Sequence, residues 1–227
     1  MKKVIKKVFI FDLGYTIIKH DDKIESKFLA DKMRIKLTPE FEKEISNFWL
    51  QTSKYLKGKK VNEKEFIEIA EKLVPTLKEN KKSGDTFLNS LYGMTVVGTY
   101  EYSEEILKRI KQSGGIIIGL SDWFKNDQIR ELQEINLIDY FDEVFGWDNS
   151  YTKPHRESIG KILKKYNQYN KNEFIMIGNS LDNDIKAAIN AGIDSIWINR
   201  KDEKSESIKP TYEIVNLKEI EEIIEGV

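Results

Sequence analysis

The sequence predicts an α/β protein built on a doubly wound parallel sheet. Five short apolar runs have the length of strands, at 4–13, 116–120, 143–145, 174–177 and 195–198. Three of them are nearly continuous in Ile, Val or Phe, which is typical of parallel strands covered on both faces. Helical patterns separate the runs, at 103–113, 126–135, 156–166 and 182–191. This alternation indicates βαβ units and therefore one doubly wound sheet.

The interval 18–98 differs from the rest of the chain. It contains amphipathic helical patterns at 22–35, 39–56 and 62–77, and its first strand-like residues come only at 95–97. Roughly eighty residues between two adjacent strands exceed an ordinary crossover connection. The interval therefore predicts a smaller, all-helical unit inserted into a core made of 1–17 and 99–227. The alternative is that these helices simply pack on the sheet.

Composition limits the classes of partner. Lys and Arg number 37 against 38 Asp and Glu, so the net charge is −1, and no field attracts nucleic acid or anionic lipid nonspecifically. The chain has no cysteine, which excludes disulfides, thiol nucleophiles and thiolate metal sites. No apolar run has the length of a membrane span or the pattern of a signal peptide. We expect a cytoplasmic monomer or homodimer without nucleic-acid or membrane partners.

Polar residues follow three of the predicted strands. Asp12 stands where the first apolar run meets a glycine, Ser121 follows 116–120, and an Asn- and Asp-rich stretch at 178–184 follows the fourth run. Open α/β sheets bind ligands at the carboxyl ends of their strands. Lys153, before Pro154, completes the series. Considered alone, Asp12 is almost as well explained as a loop aspartate satisfied by turn amides.

Together the four segments resemble the haloacid dehalogenase (HAD) superfamily of hydrolases. The core of that family carries a nucleophilic Asp, a Ser or Thr, a Lys and an acidic pair in this order, and the resemblance covers about residues 4–226. It implies a Rossmann-like HAD core with an all-helical cap domain at 18–98. It also implies Mg²⁺-dependent hydrolysis of a small phosphorylated metabolite through an aspartyl-phosphate intermediate.

The resemblance assigns roles to individual residues. Asp12 would be the nucleophile, and Lys153 the fixed ammonium that pairs with it and with the transferred phosphate. The substrate phosphate would be bound by Ser121, Asp122, Gly14, Tyr15 and Thr16. The Mg²⁺ ligands would be Asp12, the backbone carbonyl of Gly14, Asn179 and Asp184. Ser121 is also suited to capping the following turn, a surface position is the default for a lysine, and Asp182 is better explained as a helix N-terminal residue than as a ligand.

Two positions depart from the family pattern. Gly14 stands where phosphatases of the family carry a second aspartate, which protonates the leaving oxygen and later activates water. General acid–base help is worth ~10²–10⁴-fold, so turnover should be slow unless a cap residue or an activated leaving group substitutes. Asn179 replaces the first acid of the fourth segment. Its amide can bind Mg²⁺ but brings no charge, so metal affinity should fall.

These departures keep two alternatives open. One is a noncatalytic family member that binds phosphate or regulates. The other is a 2-haloacid dehalogenase, in which Asp12 would attack carbon; the segment 197–200 resembles a dehalogenase segment, and Arg34, the one arginine in 18–98, could hold the halide. A surface helix position explains Arg34 equally simply. Substrate selection would fall to aromatic residues of the helical unit, which at helical spacing also suit a core: Phe48, Trp49 and Tyr55.

Overall fold

The computed structural model describes residues 5–20, 22–60, 62–91, 96–147, 150–205 and 207–225. Its strands are β1 Val8–Phe11, β2 Ile18–Lys19, β3 Gly98–Thr99, β4 Ile116–Leu120, β5 Glu143–Phe145, β6 Phe174–Gly178, β7 Asp194–Ile198 and β8 Tyr212–Ile214. Its α-helices are α1 Asp22–Met33, α2 Pro39–Leu56, α3 Glu63–Leu73, α4 Thr76–Glu79, α5 Gly84–Leu91, α6 Ser103–Gln112, α7 Lys125–Glu134, α8 Arg156–Lys165, α9 Lys186–Ala191 and α10 Ile220–Ile223. None of the helices described is both long enough and apolar enough to cross a membrane.

Six strands form one parallel sheet in the order β5-β4-β1-β6-β7-β8. The four residues of β1 are buried between β4 and β6. Its side chains alternate between the two faces, as the pleat requires: Phe9 and Phe11 join the apolar cluster that includes residues of α6, whereas Val8 and Ile10 join the one that includes residues of α8 and α9. The predicted α/β class with a doubly wound parallel sheet is confirmed.

Helices α1 to α5 lie between β2 and β3 and share an apolar cluster of their own. Phe41, Phe48, Phe66 and Phe87 are fully buried in it. The cluster continues to Phe124 and Trp147, which follow β4 and β5. Strands β2 and β3 pair antiparallel in a separate two-stranded sheet, so the chain enters and leaves the helical segment at neighbouring points.

Three elements differ from the predicted pattern. The helix expected at 62–77 ends at Leu73 and resumes at Thr76, because Pro75 disfavours helical geometry at the residue before it. The helix expected at 182–191 begins with a π-helical turn, Leu181–Ile185. Strands β2, β3 and β8 have only two or three residues, too few for a periodic signal. The predicted strand ends Val4 and Thr95 lie outside the described residues.

Candidate active site

The predicted polar residues meet at the carboxyl edge of the sheet. The backbone N–H of Asp12 donates to Ile177 O at 2.9 Å, which continues the pairing of β1 with β6. The N–H of Ser121 donates to Phe145 O at 2.9 Å and continues β4 along β5 in the same way. Parallel strands end at one edge, so the two side chains emerge on the same side of the sheet.

Lys153 lies at the centre of this cluster. Its buried Nζ donates to Asp12 Oδ1 at 2.5 Å, to Asp184 Oδ1 at 2.7 Å and to Leu120 O at 3.3 Å, which engages all three N–H donors of an ammonium group. Burial lowers the pKa of Lys153, but the charges of Asp12, Asp184 and Asp122 outweigh it and hold the pKa above its ordinary value. The ammonium therefore stays charged.

Asp122 holds the backbone of Lys153. Its N–H donates to Asp122 Oδ1 at 2.8 Å, and the Lys153–Pro154 peptide is cis. Burial raises the pKa of Asp122, while Lys153 opposes the shift. Asp122 thus orients the lysine segment, and no substrate contact is needed to explain its burial.

Asp184 reaches the cluster because of the π-helical turn after β6. Its Oδ2 accepts from the Ser180 N–H at 2.9 Å. A Cβ atom on Gly178 would collide with the Asp184 carboxylate, so only glycine lets that carboxylate lie against the end of β6. Burial and the charge of Asp12 raise the pKa of Asp184 above its ordinary value, against the opposing effect of Lys153.

Thr16 connects Asp12 with Asn179. Its fully buried hydroxyl lies 2.8 Å from Asp12 Oδ2 and 3.0 Å from Asn179 Oδ1. One hydroxyl proton serves one acceptor at a time, and the charged carboxylate is the stronger acceptor. Turning the Asn179 amide so that its NH₂ donates to Thr16 satisfies all three groups.

The other predicted loop residues have structural partners. Ser121 Oγ accepts from the Trp123 N–H at 3.1 Å, the turn-capping contact that sequence reasoning left open. Tyr15 has a left-handed φ of 60°, and its carbonyl accepts from Arg200 at 2.8 Å. The Arg200 guanidinium also lies 3.7 Å from the centre of the Tyr100 ring. Arg200 therefore braces the loop that follows Asp12.

A cavity of about 770 Å³ separates this edge of the sheet from the helical segment. Gly14 and Ser121 line it from the sheet, Trp49 and Ser53 line it from α2, and His20 lines it beside them. A smaller cavity of about 360 Å³ lies on the other side of Tyr15, against Asn179, Trp197 and Arg200. A substrate in the larger cavity would contact both the sheet and the helices.

Among the residues of the larger cavity that sequence reasoning missed are His20, Gln128 and Glu131. Gln128 Nε2 donates to Glu131 Oε2 at 2.6 Å, and His20 Nε2 lies 3.8 Å from the same oxygen. Burial and Asp127 raise the pKa of Glu131 to about 8. The sequence carries only a weak signal for these residues. His20 is one of only two histidines in the chain, and Glu131 is a carboxylate beside the apolar positions of a predicted helix.

The predicted aromatic residues of the helical segment divide by position. Phe48 lies in the helical core and Trp49 lines the cavity. Tyr55 is partly exposed, with Lys59 Nζ 3.8 Å from the centre of its ring. Arg34 is exposed at the end of α1 with a φ of 55°, which agrees with a surface position rather than a place in the cavity. Exposed Asp182 pairs with Lys57 at 3.0 Å.

The helical segment is also hydrogen-bonded to the lysine loop. Gly58 N–H donates to Lys153 O at 3.0 Å, and Thr152 N–H donates to Lys59 O at 3.0 Å. The Thr152 hydroxyl donates to Leu56 O at 2.5 Å. A β-bridge between Lys60 and Tyr151 extends this contact. We call residues 56–60 and 151–153 the latch.

Fold and site define an α/β protein with a lysine-centred acidic cluster at the carboxyl edge of its sheet. The profile of the haloacid dehalogenase-like hydrolases matches residues 9–198, more than half of the chain. The protein belongs to this family of hydrolases.

Curated relatives include two pyrimidine 5'-nucleotidases. YjjG of Escherichia coli (strain K12) is 26% identical over 148 residues, covering 64% of this chain and 64% of YjjG. PynA of Streptococcus pneumoniae (strain ATCC BAA-255 / R6) is 29% identical over 130 residues, covering 56% of this chain and 53% of PynA. The chain thus spans between about half and two thirds of the length of these relatives.

Solved structures match over nearly the whole chain. The magnesium-bound structure of YfnB from Bacillus subtilis has a TM-score of 0.76 at 20% identity, covering 96% of this chain and 97% of YfnB. A HAD phosphatase from Thermococcus onnurineus has a TM-score of 0.67 at 20% identity, with 97% and 98% coverage. At such identities the likeness establishes the fold.

Proposed function

We propose that the protein is a Mg²⁺-dependent phosphohydrolase that cleaves phosphomonoesters of small phosphorylated metabolites. The observation that supports this most directly is the pair of hydrogen bonds that the Asp12 carboxylate accepts. One of its carboxylate oxygens accepts from Lys153 and the other from Thr16, at the strand end below the cavity. Since two relatives are named pyrimidine 5'-nucleotidases, nucleoside monophosphates are the first substrates to test.

The proposed reaction has two steps. Asp12 attacks phosphorus, the bond from phosphorus to the leaving oxygen breaks, and an aspartyl phosphate forms. Water then attacks that phosphorus, breaks its bond to Asp12 and releases inorganic phosphate. Lys153 offsets the charge of the phosphoryl group, and the Ser121 hydroxyl donates to one of its oxygens.

The residues present fit Mg²⁺, although their charge is low. The described residues contain no group of three or more His, Cys, Asp or Glu that could hold a metal, but Mg²⁺ is usually bound by one or two carboxylates together with water and phosphate. Asp12 and Asp184 are such a pair, and their proximity helps to raise the pKa of Asp184, which favours a cation beside them. Asn179 and the carbonyl of Gly14 would complete the set. Bound Mg²⁺ would supply charge stabilisation to the phosphoryl group.

We also propose that the helical segment, 18–98, is a cap that closes over the core formed by 1–17 and 99–227. The cavity between them would hold the leaving group, and Trp49 would contact it. The related YfnB structure is described as revealing interdomain movement. Such a movement here would open the cavity for exchange of substrate and product.

Phosphate release across a panel of nucleoside monophosphates, sugar phosphates and an activated aryl phosphate tests the proposal. We expect release that depends on Mg²⁺ and is lost in Asp12→Asn, a variant of the same shape without a nucleophilic carboxylate. A folded wild-type protein that binds phosphate but releases none from any substrate would favour the noncatalytic alternative. Halide release from a 2-haloacid without metal would favour the dehalogenase, for which Arg34 gives no support because it does not line the cavity.

A further inference from the structure

The space above Gly14 contains the imidazole of His20. A Cβ atom on Gly14 would lie 3.6 Å from His20 Nε2 and 3.8 Å from its Cδ2, both ordinary van der Waals distances. A longer side chain at position 14 would therefore project to the place that the imidazole already occupies. The two residues line the same cavity as Ser121.

Several contacts hold His20 at this place. It directly follows β2, whose Lys19 pairs with Gly98 of β3. The ring centre lies 5.5 Å from that of Tyr15, with the two planes inclined by 53°. Glu131 Oε2 lies 3.8 Å from Nε2. The side chain is 18% exposed, so it is largely enclosed yet still reaches the cavity.

We propose that His20 is the acid–base residue of this site and performs the task of the carboxylate that is missing at position 14. This inference rests on the proposed phosphohydrolase function. While Asp12 attacks phosphorus, the Nε2 proton of the imidazolium passes to the leaving oxygen as its bond to phosphorus breaks, which gives an alcohol and a neutral imidazole. Nε2 then takes a proton from the water that attacks the aspartyl phosphate, and the imidazolium is restored.

Titratable and charged groups face His20 from two elements of the structure. Tyr15 faces it from the loop after Asp12, and Glu131 faces it from α7, where Asp127 and Arg130 stand next to Glu131. Burial and Asp127 raise the pKa of Glu131 to about 8, so Glu131 gives up its proton less readily than an ordinary glutamate.

Dependence on the leaving group separates an acid from a merely structural histidine. For His20→Gln we expect kcat/KM to fall by about 10²–10⁴-fold on an alkyl phosphate such as a nucleoside monophosphate. On an activated aryl phosphate the fall should be below about tenfold, because an aryl oxide leaves without being protonated. Equal losses on the two substrates, or no loss on either, would overturn the proposal.

Restoring a carboxylate at position 14 provides the second arm. Gly14→Asp in the His20→Gln protein should recover at least about tenfold in kcat/KM on the alkyl phosphate, whereas Gly14→Asn, the matched control of the same size, should recover none. Recovery by both variants or by neither would count against His20 as the acid. Wild-type protein inactive on both phosphates would instead refute the phosphohydrolase itself, and the role of His20 with it.

Discussion

Lys153 binds two aspartate side chains with one ammonium group, and a third aspartate accepts from its backbone N–H. The cluster of Asp12, Asp122 and Asp184 is therefore short of positive charge before any cation or substrate binds. Buried charges of one sign repel strongly because little water screens them. The same shortage makes the cluster costly to bury and would favour the Mg²⁺ that we propose binds there.

Replacing Lys153 tests this balance. Lys153→Met should abolish phosphate release and lower the free energy of unfolding by about 3–5 kcal/mol, because it leaves buried carboxylates without their partner. Urea unfolding measures the loss. The double variant Asp12→Asn, Lys153→Met should regain part of the stability, since it removes one of the repelling charges. A double variant no more stable than Lys153→Met would show that Asp12 and Lys153 are not coupled.

The carboxyl of Glu131 should make stability depend on pH. Its pKa is raised to about 8 in the folded protein and is about 4.3 in an unfolded chain. Between these values the folded state holds a proton that the unfolded chain has lost. The free energy of unfolding therefore falls as pH rises, by at most ~1.4 kcal/mol per pH unit from this group.

Glu131→Gln provides the comparison, because glutamine stays neutral and can still accept from Gln128. We expect the variant to gain stability over the wild type as pH rises from about 5 to about 8. Urea unfolding across that range would measure the difference. A constant difference between the two proteins would contradict a raised pKa for Glu131.

At the scale of elements, the end of β6 and the turn that follows it together position the Asp184 carboxylate. The π-helical turn Leu181–Ile185 carries Asp184 back over the strand, and Gly178 leaves the space for it. An ordinary α-helical turn here would point the Asp184 side chain in another direction, because a π-helical turn contains one more residue than an α-helical turn. This packing of the Asp184 carboxylate against the strand end explains why β6 ends in a glycine.

Gly178→Ala should therefore damage the site more than the fold. The added methyl group must displace the Asp184 carboxylate, so we expect phosphate release to fall by about 10²-fold and the free energy of unfolding by about 1–3 kcal/mol. Gly160→Ala in α8 is the matched control, because its Cβ meets only the flexible end of Glu157, at 3.2 Å. The control should gain up to about 1 kcal/mol. Equal activity in the two variants would contradict the role of Gly178.

How far the site could be predicted depends on how local each signal is. Asp12 and Ser121 directly follow apolar strands, so the sequence alone brings them to one edge of the sheet. His20 and Glu131 approach each other through β2 and α7, which are far apart in the chain, and β2 has only two residues. Neither the short strand nor the contact across the fold leaves a periodic pattern. The latch escaped prediction for the same reason, since most of its hydrogen bonds join backbone groups and the Thr152 hydroxyl is a single side-chain donor.

At the scale of the whole molecule, two sets of backbone hydrogen bonds among the described residues tie the helical segment to the rest of the fold. One is the pair β2–β3, and the other is the latch between 56–60 and 151–153. The latch ends at Lys153, the centre of the acidic cluster. A movement of the helical segment about β2–β3 would therefore pull on the backbone that positions the lysine.

Thr152→Val should loosen the latch. The variant keeps the shape of threonine but loses the hydroxyl that donates to Leu56 O, at a cost of about 1 kcal/mol. We expect faster hydrogen exchange at the Gly58 amide, measured by mass spectrometry of peptides that cover 56–60. Thr152→Ser keeps the hydroxyl and should exchange like the wild type. If serine and valine loosen the segment equally, the hydroxyl is not what holds it.

The pairing of Ile18 with Thr99 has a consequence for how the chain could be rearranged. Because paired strands lie ~4.8 Å apart, the stretch between them could be exchanged for a tight turn, or for a foreign helical unit, without stretching the sheet. After such an exchange the six-stranded sheet would keep its strand order. Thr152 and Lys153, however, would lose their hydrogen-bond partners in 56–60. We expect a transplanted unit to restore chemistry only if it carries its own counterpart of 56–60.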